Sequence, residues 1–224
     1  MSDTPPVVKV CCIASVAEAF LAIDAGAHAL GLVSAMPSGP GVIADATIAQ
    51  IAGAVAASAP RVETFLLTSR TRADSIAAQH EKMRTTTLQL VDHVPESDLQ
   101  RLRALCPGVQ LVQVIHVIDE TSIAEALAAR PWVDALLLDS GNPGLAVKQL
   151  GGTGRRHDWQ LSRRIRDTVA PLPLYLAGGL RADNVAEAIR TVRPYGLDLC
   201  NGVRTEGQLD AAKLRDFFAA ARSA

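Results

Sequence analysis

The sequence predicts an α/β protein folded as a (β/α)8 TIM barrel, with residues 1–224 forming one domain. Two observations carry this expectation. Short apolar runs at residues 7–11, 29–33, 62–67, 87–91, 110–115, 135–138, 172–177 and 197–200 alternate with segments carrying Ala, Leu, Ile and Glu at helical spacing. The runs are continuously apolar rather than alternating, as strands are when helices cover both faces of a parallel sheet. Eight such units in 224 residues sit near the short end of the range for a barrel of this kind. That fold places its chemistry at the C-terminal ends of the strands, so the list of candidate residues is short.

Taken in order, the first run leads through Ile13-Ala14-Ser15 into a helix over residues 16–25. Ser15 is positioned to cap it, and Glu18 completes a capping box. The second run opens a long loop, Ser34 to Gly41, before a helix that starts near Asp45. Loops of this length on a catalytic face usually bind or cover something. The third and fourth runs end at Thr68-Ser69 and Asp92-His93, the fifth near His116, and the sixth at Asp139-Ser140. An irregular stretch over residues 141–158 follows, containing Gly151-Gly152-Thr153-Gly154-Arg155-Arg156. The seventh run ends at Gly178-Gly179, a helix covers residues 185–191, and the eighth run ends at Asn201-Gly202.

Lys and Arg number 22 against 23 Asp and Glu, a net charge of −1, and aromatic residues make up 4%. This balance gives no reason to expect nucleic acid or an anionic membrane as partner. No apolar run reaches the ~18 residues of a membrane helix. The start, MSDTPPVVKV, has neither the basic nor the apolar region of a signal peptide, so a cytoplasmic protein is expected. The four cysteines, at 11, 12, 106 and 200, show no metal-ligand spacing, and a reducing cytosol favours free thiols. The apolar content of 49% suits a monomer or a homodimer.

Glycines let backbone N–H groups close on an anion, and barrels often bind phosphate at the loops after strands seven and eight. Gly152, Thr153, Gly154, Gly178, Gly179, Asn201 and Gly202 are therefore candidate phosphate ligands, and the expected partner is a phosphorylated small molecule. Asp139 follows three leucines where an apolar wall opens to the mouth, which suits a general acid. Cys11 ends the first strand as a candidate base or nucleophile. Cys12 is expected to point the other way, because neighbouring strand side chains alternate. Cys106 and Cys200 read as small apolar fillers. Lys9 shares the Cys11 face, and His93 and His116 are further titratable candidates.

Lys9-Val10-Cys11-Cys12-Ile13 resembles the K-[IV]-C-G-[IL]-T opening of the phosphoribosylanthranilate isomerase family. Leu136 to Ser140, Gly151 to Gly154 with His157-Asp158-Trp159, and Leu176 to Leu180 with Asn184-Val185 are similar to that family's LLLD, GG[ST]G, [FH]DW and L-[SA]-GGL…NV segments. Arg193-Pro194-Tyr195, Asp198 and Asn201-Gly202-Val203 partly match its RP…D…SGVE ending. The resemblance implies an Amadori rearrangement in tryptophan biosynthesis, with Asp139 as acid and Cys11 as base, and no metal or organic cofactor. The chain departs from the pattern at Cys12, where the family has glycine. Ser38-Gly39-Pro40-Gly41-Val42 lacks the second-loop arginine, Gln89-Leu90-Val91-Asp92-His93 stands for QLHG, and Arg204 stands for the final glutamate. Arg204, Arg70 or backbone groups would then meet the substrate carboxylate. The alternative is a divergent barrel that acts on, or only binds, a different phosphorylated sugar.

Overall fold

The computed structural model describes residues 5–142, 144, 145, 148, 150 and 156–224. The units follow in chain order as β1 (Val7–Val10), α1 (Val16–Ala25), β2 (Ala29–Val33), α2 (Asp45–Ser58), β3 (Glu63–Thr68), α3 (Ala73–Met83), β4 (Thr87–Leu90) and α4 (Glu96–Leu105). They continue as β5 (Gln110–His116), α5 (Thr121–Ala129), β6 (Ala135–Asp139), α6 (Trp159–Val169), β7 (Leu174–Leu176), α7 (Val185–Val192) and β8 (Gly196–Leu199). A small hairpin, β9 (Arg204–Thr205) and β10 (Gln208–Leu209), precedes α8 (Ala211–Arg222).

The eight long strands pair in parallel, each with its sequence neighbour, and β8 closes on β1 with Val10 opposite Leu199. The predicted barrel is the observed one. Strand alternation sorts the apolar residues into two separate cores. Val8, Val10, Leu30, Leu32, Leu66, Leu88 and Leu136 point outward and pack under the helices. Ala29, Phe65, Val112, Ala135, Leu137 and Tyr175 fill the interior. Because residues of both parities are apolar, the strands read as unbroken runs in the sequence. Burying a side chain such as Leu66, fully inaccessible here, is worth about 1.5–3 kcal/mol, and Leu66→Ala costs about 2–5 kcal/mol once the cavity is included.

The helix starts follow the local chemistry. Ser15 Oγ accepts the N–H of Glu18 at 3.1 Å, while Glu18 Oε2 accepts the N–H of Ala14 at 2.9 Å. Asp158 caps α6 by accepting from Gln160 and Leu161, and Asp210 caps α8 in the same way. The second helix begins at Asp45, as expected. Among the described residues, no helix is long and apolar enough to cross a membrane.

Candidate active site

The strand ends open into a cavity of about 950 Å³, counting its open mouth. Cys11 contributes from the end of β1 and Asp139 from the end of β6, and Asp198 lies one layer deeper on β8. Asp139 Oδ1 accepts the backbone N–H of Ser140 at 2.7 Å, which fixes the carboxylate at the strand end. Below Cys11, Lys9 is fully buried and donates to Asp198 Oδ1 at 2.8 Å, with the Phe65 ring 5.2 Å away. Burial works against the Lys9 charge, but Asp198 more than restores it and holds the ammonium firmly protonated. Burial also pushes the Asp198 carboxyl up, against the pull of Lys9.

The glycine loops form the wall at β7 and β8. Gly178, Gly179, Asn201 and Gly202 all line the cavity. Gly178 and Gly179 adopt φ of +85° and +65°, which lets the chain turn sharply at the strand end. Asn184 pins this turn, donating to the Gly179 carbonyl and accepting the Arg181 N–H, both at 2.9 Å. Residues 201–203 form a short 3-10 turn after β8. A Cβ on Gly202 would lie 2.1 Å from the Leu180 carbonyl oxygen, so the two loops touch backbone to backbone. Gly152, Thr153 and Gly154 lie outside the described residues.

Several expectations fail on contact with the structure. Cys12 lines the cavity beside Cys11, because β1 ends at Val10 and Cys12 takes a left-handed φ of +63°, breaking the alternation. Its thiol donates to the Pro40 carbonyl at 3.6 Å. Hydrogen bonding with the thiols of Cys11 and Cys200, together with burial, pushes the Cys12 thiol well up. Cys200 is likewise no filler, since it lines the same cavity and its hydrogen bond with Cys12 holds its thiol down against burial. The signal for it was its place one residue past the last strand.

Neither carboxylate partner reaches the cavity. Arg204 is pinned under the mouth, bonded to Glu18 Oε1 at 3.0 Å and to the carbonyls of Cys12 at 2.5 Å and Gly207 at 2.9 Å. The charge of Arg204 is thus answered internally by Glu18. Arg70 is exposed and donates to the Ser75 carbonyl at 2.9 Å. His93 is exposed, and His116 is buried against the Val91 carbonyl at 3.0 Å, so neither lines the cavity. His157, read only as part of a motif, lies close enough to Asp139 to feel its charge, but burial holds its pKa down to about 4. Among the described residues, no group of three or more His, Cys, Asp or Glu is arranged to hold a metal ion.

The profile of the family described as N-(5'phosphoribosyl)anthranilate (PRA) isomerase matches residues 8–220. The chain belongs to this family. The N-(5'-phosphoribosyl)anthranilate isomerase of Haloferax volcanii is 37% identical over 221 residues, covering 97% of this chain and 93% of its own. That of Synechococcus sp. is 35% identical over 210 residues, covering 93% and 87%. Among solved structures, the Thermus thermophilus enzyme superposes with a TM-score of 0.80 at 26% identity, covering 97% and 98% of the two chains. The Thermotoga maritima enzyme gives 0.81 at 25%, covering 98% and 100%. Membership makes the chain an isomerase of tryptophan biosynthesis, and nothing found favours the alternative of a different phosphosugar. In this chain the cavity carries the three thiols of Cys11, Cys12 and Cys200, and Arg204 is neutralised internally by Glu18.

Proposed function

We propose that the cavity binds N-(5'-phosphoribosyl)anthranilate with its phosphate on the β7 and β8 loops and rearranges it between Asp139 and Cys11. The observation that carries this reading is that Cys11 and Asp139 face one cavity whose neighbouring wall is made of glycine-bearing loops. Asp139 gives a proton to the furanose ring oxygen as the C1′–O bond breaks, and the nitrogen lone pair forms a protonated Schiff base. Cys11, as thiolate, removes the C2′ proton, and the resulting enolamine tautomerises to the aminoketose phosphate. The acid and the base act on opposite ends of one electron shift, so neither alone suffices. Backbone N–H groups of Gly178, Gly179, Asn201 and Gly202 supply the anion contacts.

The near-neutral charge supports a small-molecule substrate rather than a polyanion. The test is growth of a bacterial strain lacking this isomerase on medium without tryptophan. Wild-type chain should restore growth, and Asp139→Asn or Cys11→Ser should not. Growth with both variants would sink the assignment of acid and base, and no growth with the wild type would sink the reading itself.

A further inference from the structure

Gln89 carries a polar group that the reaction as described leaves unused. It sits mid-strand in β4, between Leu67 on β3 and Val112 on β5, and is 3% exposed. Its side chain lines the floor of the cavity. Its Oε1 is buried with no hydrogen-bond partner among the described residues. Gln113 on β5 also has an unpartnered Oε1, but its amide donates to the carbonyls of Leu90, Asp92 and Val114, and it does not line the cavity. Gln89 Oε1 holds nothing. An acceptor that no protein group satisfies is free to take a donor that a ligand brings into the cavity.

The topology says which donor. In a ring of eight strands, β4 lies diametrically across from β8. With the phosphate on the β7 and β8 loops, the five-carbon chain crosses the cavity and brings its amino end toward β4. The donor at that end is the arylamine N–H. We propose that Gln89 Oε1 accepts this N–H and stabilises the protonated Schiff base, making Gln89 a catalytic residue that acts on the nitrogen. The inference rests on the reading under Proposed function.

The electron count is simple. As Asp139 protonates the ring oxygen, the nitrogen lone pair becomes the C1′=N bond and the nitrogen, keeping its hydrogen, becomes positive. When Cys11 takes the C2′ proton, the C–H pair forms C1′=C2′ and the C=N π pair returns to nitrogen, which is neutral again. An acceptor on that N–H therefore binds most strongly between the two proton transfers. Hydrogen bonds to charged groups are the stronger class, and one of them is worth about ten- to a hundredfold in rate.

The test compares wild type, Gln89→Met and Gln89→Glu in kcat, KM and thermal unfolding. Gln89→Met should lower kcat about ten- to a hundredfold with KM changed less than about threefold. Its Tm should stay close to that of wild type, because Met has a similar shape and Gln89 Oε1 holds no other group of the protein. Gln89→Glu, which keeps an acceptor at the same place, should recover most of the rate. Met with an unchanged kcat, Met that raises only KM, or Glu no better than Met would each overturn the role of Gln89 while leaving the assigned reaction standing. No turnover by the wild type would instead overturn the reading on which this one rests.

Discussion

Lys9 on the first strand and Asp198 on the last form an ion pair at 2.8 Å inside the barrel, with the lysine wholly inaccessible and the aspartate 8% exposed. Each charge is tolerable there only because the other is present. Lys9→Met alone should therefore cost about 3–5 kcal/mol, since it strands a buried carboxylate. Lys9→Met combined with Asp198→Leu should regain most of that loss, although activity would not return because Asp198 faces the cavity. Urea unfolding of the single and double variants checks this, and a double variant no more stable than the single one would show that the pair itself stabilises the fold.

The thiols separate by position. Cys11→Ser should lower kcat by two orders of magnitude or more, because a serine hydroxyl is a far weaker base at neutral pH. Cys12→Gly restores the family residue at a φ of +63°, where left-handed backbone costs a side chain about 1–2 kcal/mol. That relief offsets the lost thiol packing, so stability should stay within about 1 kcal/mol. Activity of Cys12→Gly should stay within a few-fold of wild type. If its turnover vanishes while Cys11→Ser keeps full activity, the base has been assigned to the wrong neighbour.

Glu18 predicts a pH dependence with a definite sign. Burial works against its ionisation, but hydrogen bonds from Arg204 and from the N–H groups of Ala14 and Leu209 outweigh it and hold the carboxyl below 4.5. The folded state thus binds this proton less readily than the unfolded chain. The contribution to stability is complete above pH 4.5 and is lost as pH falls through the lower folded value. Glu18→Gln should flatten that part of the acid limb in denaturant titrations between about pH 5 and pH 2. An acid limb identical to wild type would mean that Glu18 is not held by Arg204 in solution.

At the phosphate wall, Gly202→Ala would set a Cβ 2.1 Å from the Leu180 carbonyl oxygen. Backbone cannot yield cheaply there, so the β7 and β8 loops must part. KM should rise at least tenfold, with a loss of stability of about 1–3 kcal/mol from overpacking. Isothermal titration with inorganic phosphate gives a second readout, and unchanged phosphate affinity in this variant would remove the backbone amides from the anion site.

The barrel was legible because an inside and an outside core both demand apolar residues, which leaves the strands as unbroken runs. Asp139 and the Gly178-Gly179 pair were legible for a related reason, being the first polar or small residues where those runs stop. Cys12 was misplaced because the alternation rule was carried past Val10, where the strand has already ended. Arg204 was offered to a ligand because nothing local shows that Glu18, 186 positions earlier, already claims it. Gln89 was passed over for the opposite reason. Its meaning lies in a missing partner, and a sequence displays residues but not the vacancies between them.

The closure of β8 onto β1 also governs how the molecule comes off the ribosome. The first strand emerges with one edge open and a lysine on its inner face, and its partner strand follows 189 residues later in the chain. At ordinary synthesis rates that interval is roughly 10 to 40 s. Throughout it, both rims of the growing sheet present unpaired amides to other nascent chains. The hazard in making this protein therefore belongs to the nearly finished chain, which has seven strands and an uncompensated Lys9, and it ends when the last eighth of the ring arrives.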